Sequence, residues 1–395
     1  MLSGRHVVLG VSGGIASYKA CILARRLAEA GADVQVVLTA AAAEFVGPVT
    51  FEALTGKRPL TSLWEPGSAL AHVDLARDAD LVILAPATAH LLARAAQGLA
   101  DDLLTALLLA RSGPVLCAPA MNDRMFAHPA TQENLRLLAR RGWRFVGPAT
   151  GPLAEGESDQ PGRMSEPEEI FAWAERQLRS GGQLTGRRVV VTAGPTREAL
   201  DPVRVLTNRS SGRMGYALAA AAFSRGADVL LISGPTQLPP PYGVETRRIE
   251  TTRDLERAVA AAVREAHVLM MAAAPADFAP ARRHAAKRPR ADGAHTLTLE
   301  ATPDVLAGTR SRRRKGCVCV GFALETGDGI HRAREKLEAK ALHMVVLNHA
   351  DQAGAGPEVE TNRATLVTRE GTEALPLLPK REVAERIWNT VESLL

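Results

Sequence analysis

Residues 5–39, RHVVLGVSGGIASYKACILARRLAEAGADVQVVLT, contain the pattern that decides the fold of this chain. An unbroken apolar run ends in the turn Ser12-Gly13-Gly14, a helical pattern follows over 15–30, and a second apolar run begins after Gly31. Continuous apolar strands are typical of a parallel sheet that is buried on both faces. A strand, a helix and a parallel strand form a right-handed βαβ unit, so the stretch predicts an α/β fold.

A second unit of the same kind begins near residue 188. Residues 188–192, RVVVT, end in Ala193-Gly194-Pro195-Thr196, and a helical pattern follows over 212–225. The two strand starts lie 182 residues apart (6 and 188), whereas the later Gly-Ala-Asp-Val turns lie 195 apart (31 and 226), so the second copy carries 13 additional residues, 197–209. Connections of this type are normally short, so the insertion indicates a functional loop.

The remaining apolar runs extend both units. Strands are predicted near 81–84, 115–118 and 144–146 in the first half and near 268–271, 318–322 and 344–347 in the second, with a final helix over 380–395. The Gly- and Pro-rich segment 147–163 predicts a loop that covers a site. The expected fold is therefore two doubly wound α/β domains, 1–182 and 183–395, with ligands at the carboxyl ends of the strands.

Composition excludes several functional classes. The chain has 395 residues, a net charge of +5 and only 4% aromatic residues, which leaves few side chains for stacking on bases. No apolar stretch approaches the roughly 20 residues of a membrane span. The four cysteines form no Cys-x-x-Cys pair, which favours a reducing, cytoplasmic location. The basic clusters 282–290 and 310–315 could form a nucleic-acid arm, but solvated or substrate-facing loops are favoured, so we expect small anionic ligands.

Four segments in the first half carry a chemical signal. The Gly-rich turn at a helix N-terminus can bind an anion, although a plain tight turn is the alternative. The others are His72-Val73, the segment 85–89 (APATA) and the segment 119–122 (PAMN). Together they resemble the flavin-dependent cysteine decarboxylase family, which has a flavodoxin-like fold. The resemblance implies bound FMN, a catalytic His72, a substrate carboxylate on Asn122, and FMN contacts from Ser12, Gly13, Gly14, Ile15, Thr39, Pro86, Ala87, Thr88 and Met121.

The loop over the site departs from that family. Its members carry a cysteine there as proton donor, whereas this chain reads Ala154-Glu155-Gly156 and retains the ending Gly162-Arg163-Met164. Glu155 occupies the nearest equivalent place. A carboxylic acid can donate a proton if burial raises its pKa, so Glu155 is the predicted donor. The alternative is that the reduction step is slow or lost.

The second half resembles the phosphopantothenate–cysteine ligase domain, with a Rossmann-like fold. The resemblance is carried by residues 192–198 (TAGPTRE), 200–204 (LDPVR) and 208–215 (NRSSGRMG). It implies that CTP activates a carboxylate as an acyl-cytidylate, that Asn208 is needed for its turnover, and that Mg²⁺ accompanies CTP through ligands not identified. A solvated helix face is the alternative for the pair Lys336 and Lys340. The implied substrate-binding residues are Gly194, Ser211, Gly212, Ala273, Ala274, Asp277, Lys287, Thr302, Pro303, Asp304, Val305, Phe322, Lys336 and Lys340.

The order of the two domains resembles the bifunctional phosphopantothenoylcysteine decarboxylase/phosphopantothenate–cysteine ligase family of coenzyme A biosynthesis. The resemblance covers essentially the whole chain and implies a homo-oligomer, up to a dodecamer, with no nucleic-acid or membrane partner. One alternative is a ligase whose flavin domain, lacking the loop cysteine, serves only as a scaffold. Another is a generic flavodoxin-like electron carrier or dinucleotide enzyme.

Overall fold

The computed structural model describes residues 2–64, 70–154, 156–287, 296–325, 329–349, 356 and 358–395. The chain divides into two compact units, Met1–Arg179 and Ser180–Leu395, close to the boundary expected after residue 182. Each unit is described by itself below. Among the described residues, none of the helices is long and apolar enough to cross a membrane.

The first unit is a five-stranded parallel sheet with helices on both faces. The strands are β1 (His6–Val11), β2 (Asp33–Leu38), β3 (Leu81–Ala87), β4 (Val115–Pro119) and β5 (Arg144–Phe145). The helices are α1 (Ser17–Glu29), α2 (Ala40–Ala43), α3 (Pro48–Thr55), α4 (Ala71–Asp78), α5 (Ala89–Gln97), α6 (Leu103–Ala110), α7 (Asp123–Ala127), α8 (Pro129–Arg140) and α9 (Pro167–Leu178).

The strand order of this sheet is β2-β1-β3-β4-β5, with every pair parallel. That order is the flavodoxin-like one, in which the carboxyl ends of β1 and β3 flank the point where the winding reverses. One apolar cluster packs α1, α3 and α9 on one face, and another packs α4, α5, α6 and α8 on the other. The predicted fold class is confirmed for this unit.

The second unit carries an eight-stranded sheet and several small hairpins. The strands are β6 (Arg188–Ala193), β7 (Arg197–Ala199), β8 (Val205–Thr207), β9 (Asp228–Ser233), β10 (Glu245–Arg248), β11 (Val268–Met271), β12 (Phe278–Pro280), β13 (Leu299–Ala301), β14 (Val318–Glu325), β15 (Met344–His349), β16 (Thr361–Asn362), β17 (Ala364–Thr368), β18 (Thr372–Ala374) and β19 (Leu378–Pro379). The helices are α10 (Arg213–Ser224), α11 (Thr252–Ala262), α12 (Val305–Gly308), α13 (Gly329–Ala339) and α14 (Lys380–Ser393).

The large sheet has the order β10-β9-β6-β11-β14-β15-β17-β18. Its first six strands are parallel and follow the Rossmann order, while β17 and β18 extend the edge in antiparallel pairing. The 13-residue insertion folds into the antiparallel hairpin β7–β8. The Rossmann-like fold is confirmed, and the insertion proves to be an ordered element that leads directly into α10.

Candidate active sites

A cavity of about 1000 Å³ opens at the carboxyl edge of the first sheet. Segments that follow four neighbouring strands line it: Ser12 after β1, Thr39 after β2, Thr88 after β3 and Met121 after β4. The carboxyl ends of parallel strands meet at one edge, which is where ligands bind in such sheets. The cavity also includes the predicted residues Gly13, Gly14, Ile15 and Asn122.

Hydrogen bonds lock the Gly-rich turn to the end of β3. The Ser12 hydroxyl donates to the Pro86 carbonyl oxygen at 2.8 Å, and the Thr88 N–H donates to Ser12 Oγ at 3.0 Å. Ser17 begins helix α1, and its N–H and hydroxyl both donate to the Gly14 carbonyl oxygen. Because that turn uses Gly14 to Ala16, the helix starts two residues later than the pattern predicted. Residues 12–16 and the first-turn residues Tyr18 and Lys19 line the cavity, and the N-terminus of a helix is a place where anions bind.

Gly13 lies in close contact with the start of α2. A Cβ atom at this position would be 2.4 Å from Ala41 Cβ and 2.7 Å from the Ala41 carbonyl carbon. Contacts this short require the backbone to shift. The residue is therefore a glycine because two backbone segments converge here, and the turn can approach a ligand closely for the same reason.

Asn122 sits at the N-cap of the short helix α7. Its Oδ1 accepts hydrogen bonds from the N–H groups of Arg124 at 2.8 Å and Met125 at 3.3 Å, which fixes the orientation of the side chain. The predicted loop lies across the same place, since Ser158 donates to Asp123 Oδ2 at 2.6 Å. Residues 152–154 of that loop line the cavity. Glu155, the predicted proton donor, lies outside the described residues.

His72 is not part of this cavity. It lies in the first turn of α4, rather than before the helix as the sequence suggested, and lines a separate hollow of about 530 Å³. Its Nδ1 is buried without a hydrogen-bond partner among the described residues. The same hollow is bordered by the exposed apolar side chains of Trp64 (89% exposed) and Leu109 (61% exposed).

Pro86 and Ala87 also lie apart from the cavity lining, because both are buried within β3. Pro86 supports the site from beneath by accepting the hydrogen bonds of Ser12. Two cations that the sequence did not single out line the cavity instead. Lys19, one turn into α1, donates to the Met164 carbonyl oxygen at 3.2 Å and to Glu166 at 3.0 Å. Arg94 is held by Asp102 at 2.8 Å.

A second cavity, of about 560 Å³, opens at the carboxyl edge of the eight-stranded sheet. It is more polar than the first. Segments after β8, β11 and β13 converge on it together with the C-terminal half of β14, α13 and the start of α14. Asn208, predicted to act in turnover of the acyl-cytidylate, lines this cavity. Twelve of the predicted substrate-binding residues also line it: Ser211, Gly212, Ala273, Ala274, Asp277, Thr302, Pro303, Asp304, Val305, Phe322, Lys336 and Lys340.

The hairpin insertion brings Asn208 to this cavity. Strand β8 ends at Thr207, whose hydroxyl donates to the Thr196 carbonyl oxygen at 2.7 Å. Asn208 Nδ2 then donates to the Pro275 carbonyl oxygen at 2.8 Å. This bond joins the insertion to the segment after β11. The next residues lead into the N-terminus of α10, whose N-cap Gly212 has a φ of 78°. Left-handed backbone of this kind favours glycine.

Three charged side chains form one end of the second cavity. Lys340 Nζ pairs with Asp304 Oδ2 at 2.7 Å, and Lys336 Nζ donates to the Phe322 carbonyl oxygen at 2.7 Å. Burial lowers the pKa of Lys336, and the charge of Lys340 lowers it further. Burial raises the pKa of Asp304, but hydrogen bonds from Lys340 and from backbone N–H groups outweigh that effect, so its pKa lies below the usual value. A partly buried lysine beside a second lysine favours an anionic ligand.

The local structure differs here from the sequence expectation in two respects. Phe322 lies in the middle of β14, which continues to Glu325, rather than at a strand end. Helix α12 is only four residues long, and Asp304 caps it by accepting from the Ala307 N–H at 3.1 Å. One of the N–H groups expected to meet a nucleotide is therefore already used by the cap.

Two predicted residues do not line the second cavity. Gly194 lies behind it and accepts a hydrogen bond from the Ala274 N–H at 2.9 Å. Lys287 is exposed. In their place the structure contributes Asn348, Asn362 and Lys380. Lys380 begins a helix that the sequence predicted, but no sequence motif indicated a functional role for any of these three residues.

The described residues contain no group of three or more His, Cys, Asp and Glu side chains that could hold a metal ion. The four cysteines, Cys21, Cys117, Cys317 and Cys319, are free thiols. Burial raises the pKa of Cys117, which has no exposed surface. That thiol is a core residue on β4 and is not placed to replace the missing loop cysteine.

Two family models together cover nearly the whole chain. The model described as Flavoprotein matches residues 1–178. The model described as DNA/pantothenate metabolism flavoprotein C-terminal domain matches residues 184–395. The two matches meet where the two compact units meet.

The chain is similar over its full length to curated proteins of one kind. It is 45% identical over 394 residues to the coenzyme A biosynthesis bifunctional protein CoaBC of Vibrio cholerae, covering 99% of this chain and 98% of that protein. The protein of the same name from Mycobacterium tuberculosis is 46% identical over 407 residues, covering 99% and 97%. That of Bacillus subtilis is 43% identical over 400 residues, covering 100% and 98%.

Proposed function

This chain belongs to the family of coenzyme A biosynthesis bifunctional proteins, and from that membership we propose how its two units carry out two successive reactions. The second unit joins 4′-phosphopantothenate to cysteine at the expense of CTP. The first unit decarboxylates the product, 4′-phospho-N-pantothenoylcysteine, to 4′-phosphopantetheine. The observation that carries this proposal is the pair of separate cavities, each at the carboxyl edge of its own sheet and each lined by the motif residues of one activity.

In the second unit, the end of the cavity around Lys336 and Lys340 suits a nucleoside triphosphate. Lys340 is paired with Asp304, whereas Lys336 Nζ donates to a carbonyl oxygen and has no ion-pair partner among the described residues, so its positive charge is free to meet phosphate oxygens. Asn208 lines the same cavity, and we place the attack of the carboxylate on the α-phosphate beside it. We propose that the Asn208 amide positions the acyl-cytidylate while cysteine displaces CMP.

The first cavity fits FMN. Its volume of about 1000 Å³ is large enough for a flavin and a substrate, and its wall is mostly apolar. Ser12, Gly13, Gly14, Ile15 and Thr39 would hold the phosphate group, while Thr88 and Met121 would contact the remainder. Bound FMN supplies the two-electron chemistry that loss of CO₂ from a cysteine requires. Asn122 would hold the substrate carboxylate in place.

His72 is proposed to act on the flavin cavity of a neighbouring copy. Its ring borders a different hollow, so within one chain it does not reach the residues that bind FMN. The exposed Trp64 and Leu109 around it form an apolar surface of the kind that a second subunit covers. A cyclic homo-oligomer would supply each flavin cavity with a histidine from the next chain. Dimerisation of such rings through the second unit would give larger assemblies, up to a dodecamer.

A substitution at Gly13 tests the flavin site. Gly13→Ala places a Cβ atom 2.4 Å from Ala41 Cβ, and overpacking of this kind costs about 1–3 kcal/mol. FMN binding is therefore expected to weaken about 5- to 150-fold, measured as flavin absorbance per chain after gel filtration. Gly47→Ala is the matched control, because nothing lies within 4 Å of a Cβ there. Equal flavin content in both variants would contradict the proposed cradle.

The lowered pKa of Lys336 predicts a pH dependence. As the pH rises through that pKa the ammonium group loses its proton, so kcat/KM for CTP should fall at a lower pH than an ordinary lysine would produce. Lys336→Arg keeps its charge and should therefore remove this decline at pH values below about 10.4, the ordinary pKa of a lysine. Lys315→Arg, on an exposed turn, is the control. A decline that persists in Lys336→Arg would exclude Lys336 as its origin.

Glu155 is proposed as the proton donor of the decarboxylase. If it is, Glu155→Gln should slow formation of 4′-phosphopantetheine about 100-fold or more, since general acids contribute about 10²–10⁴ in rate. Glu155→Cys should restore part of the activity, because it supplies the thiol that the family uses. Glu157→Gln, in the same loop, is the control. Unchanged product formation in Glu155→Gln would show that another group delivers the proton.

Mg²⁺ is proposed to enter with CTP and to be held mainly by its phosphates. The four free thiols suit the reducing cytoplasm, which we propose as the location.

The decisive experiment incubates the purified protein with 4′-phosphopantothenate, cysteine, CTP and Mg²⁺ and identifies the products by mass spectrometry. We expect CMP, CO₂ and 4′-phosphopantetheine. Accumulation of 4′-phospho-N-pantothenoylcysteine would instead mean that the first unit is impaired, and absence of CMP would overturn the ligase assignment.

A further inference from the structure

Lys380 is buried at the edge of the second cavity, and the chemistry proposed above does not use it. It is the first residue of α14, and only 6% of it is exposed. Its backbone N–H donates to the Glu360 carbonyl oxygen at 3.0 Å, next to the pairing of β19 with β16. Strand β19 ends directly before Lys380, and β16 begins directly after Glu360. The pairing of these two strands therefore sets the position of Lys380.

Among the described residues, the ammonium group of Lys380 has no counterion. Its Nζ donates to the carbonyl oxygens of Gly356, at 2.9 Å, and Val359. No carboxylate of the described residues forms an ion pair with it. The charged groups that act on it are Arg213 and Glu360, and Glu360 is already paired with Arg213 at 2.6 Å. A buried cation is costly unless it is paired, so the arrangement calls for an anion.

This positive group is distinct from the one at Lys336. The charges that act on Lys336 come from Lys340, Glu325, Asp304 and Asp277, and none of them acts on Lys380. Both lysines nevertheless line one cavity. Among the described residues the cavity therefore has cationic side chains around Lys336 and around Lys380, with Arg209 as a further cation in its lining, and the ligase reaction brings together two phosphorylated substrates.

We infer that Lys380, assisted by Arg213 at the N-terminus of α10, binds the terminal phosphate of 4′-phosphopantothenate. The inference rests on the proposed ligase function. If CTP occupies the end near Lys336, the carboxylate that attacks it lies in the middle of the cavity near Asn208. The phosphate is at the opposite end of the extended pantothenate chain, and we place it at Lys380 and Arg213. The first N–H groups of α10 add donors for the same anion.

A purely structural role for Lys380 makes a different prediction. Its hydrogen bonds hold the carbonyl groups of Gly356 and Val359 in place, and a neutral donor could maintain these bonds. Lys380→Gln removes the charge and keeps a hydrogen-bond donor, whereas Lys380→Arg keeps the charge. The two variants therefore separate phosphate binding from anchoring of the backbone.

The experiment measures KM for 4′-phosphopantothenate and for CTP, and the preference for 4′-phosphopantothenate over pantothenate. For Lys380→Gln we expect KM for 4′-phosphopantothenate to rise about 10- to 100-fold, as for loss of a hydrogen bond to a charged group. The KM for CTP should change by no more than about twofold. The preference for 4′-phosphopantothenate over pantothenate should fall by the same factor by which the KM for 4′-phosphopantothenate rises. Lys380→Arg should restore most of this KM and most of the preference. Lys315→Gln is the matched control.

Three outcomes would overturn the inference: an unchanged KM for 4′-phosphopantothenate, an equal rise in the KM for CTP, or an unchanged phosphate preference. A kcat for CMP release at saturating substrate close to that of the wild type reports that the second unit of each variant is intact. If Lys380→Gln does not fold, Lys380→Arg decides, because a lost phosphate preference in that folded variant would contradict the inference. Failure of the wild-type protein to release CMP would refute the ligase proposal instead, and equilibrium binding of 4′-phosphopantothenate to wild type and variant would still test Lys380.

Discussion

Asn208→Asp is expected to stop CTP-dependent amide formation, with a loss of about 100- to 1000-fold, as for removal of one donor that stabilises a reacting oxyanion. The amide donates from Nδ2 to the Pro275 carbonyl oxygen at 2.8 Å. A carboxylate has the same shape but donates nothing, and it would place a negative charge against that carbonyl and against the phosphate of the acyl-cytidylate. Positioning of the intermediate should therefore fail.

The measurement compares pyrophosphate with CMP. If Asn208 acts after activation of the carboxylate, the variant should release pyrophosphate in a single burst and little CMP. Asn134→Asp, on helix α8 of the first unit, makes the same chemical change away from the cavity and should have no effect. Amide formation at the wild-type rate in Asn208→Asp would count decisively against the ligase assignment of this residue.

His72→Asn is expected to reduce decarboxylation about 100- to 10,000-fold, as for the loss of a positioned acid–base group. FMN content and ligase activity should remain, because His72 lines neither the first cavity nor the second. Its Nδ1 is buried without a partner among the described residues, which is the state expected of a group that meets its partner only on assembly or on substrate binding. His331→Asn, on the exposed face of α13, is the control.

Mixed oligomers test whether His72 serves a neighbouring chain. Co-expression of His72→Asn with Asn122→Asp, each inactive alone, should recover about a quarter of the wild-type decarboxylation, because one of four random pairings joins two intact halves. If both residues serve a site within one chain, mixing restores nothing. That result would contradict the proposal that His72 acts on the flavin cavity of a neighbouring chain.

Local patterns in the sequence determined the class of the fold and much of each site. The apolar runs that end in Ser12-Gly13-Gly14 and in Gly194 predicted two βαβ units, because buried parallel strands need continuous apolar sequence and a turn at the helix start needs glycine. The resemblance to the flavin-dependent cysteine decarboxylases implied Thr39, Thr88 and Met121 as FMN contacts, and the structure places them around one cavity.

Only the tertiary structure decided the contributions that come from distant segments. Lys19 meets Glu166, and Lys380 reaches a cavity formed around Asn208, because helices fold back over the sheets; no spacing along the chain encodes those contacts. The burial of Pro86 and the central position of Phe322 in β14 follow from pairing with neighbouring strands, which sets where a strand ends. His72 is the clearest case. The sequence marked it as catalytic, but its distance from the flavin cavity depends on how α4 packs against α6, and packing is a property of the folded molecule.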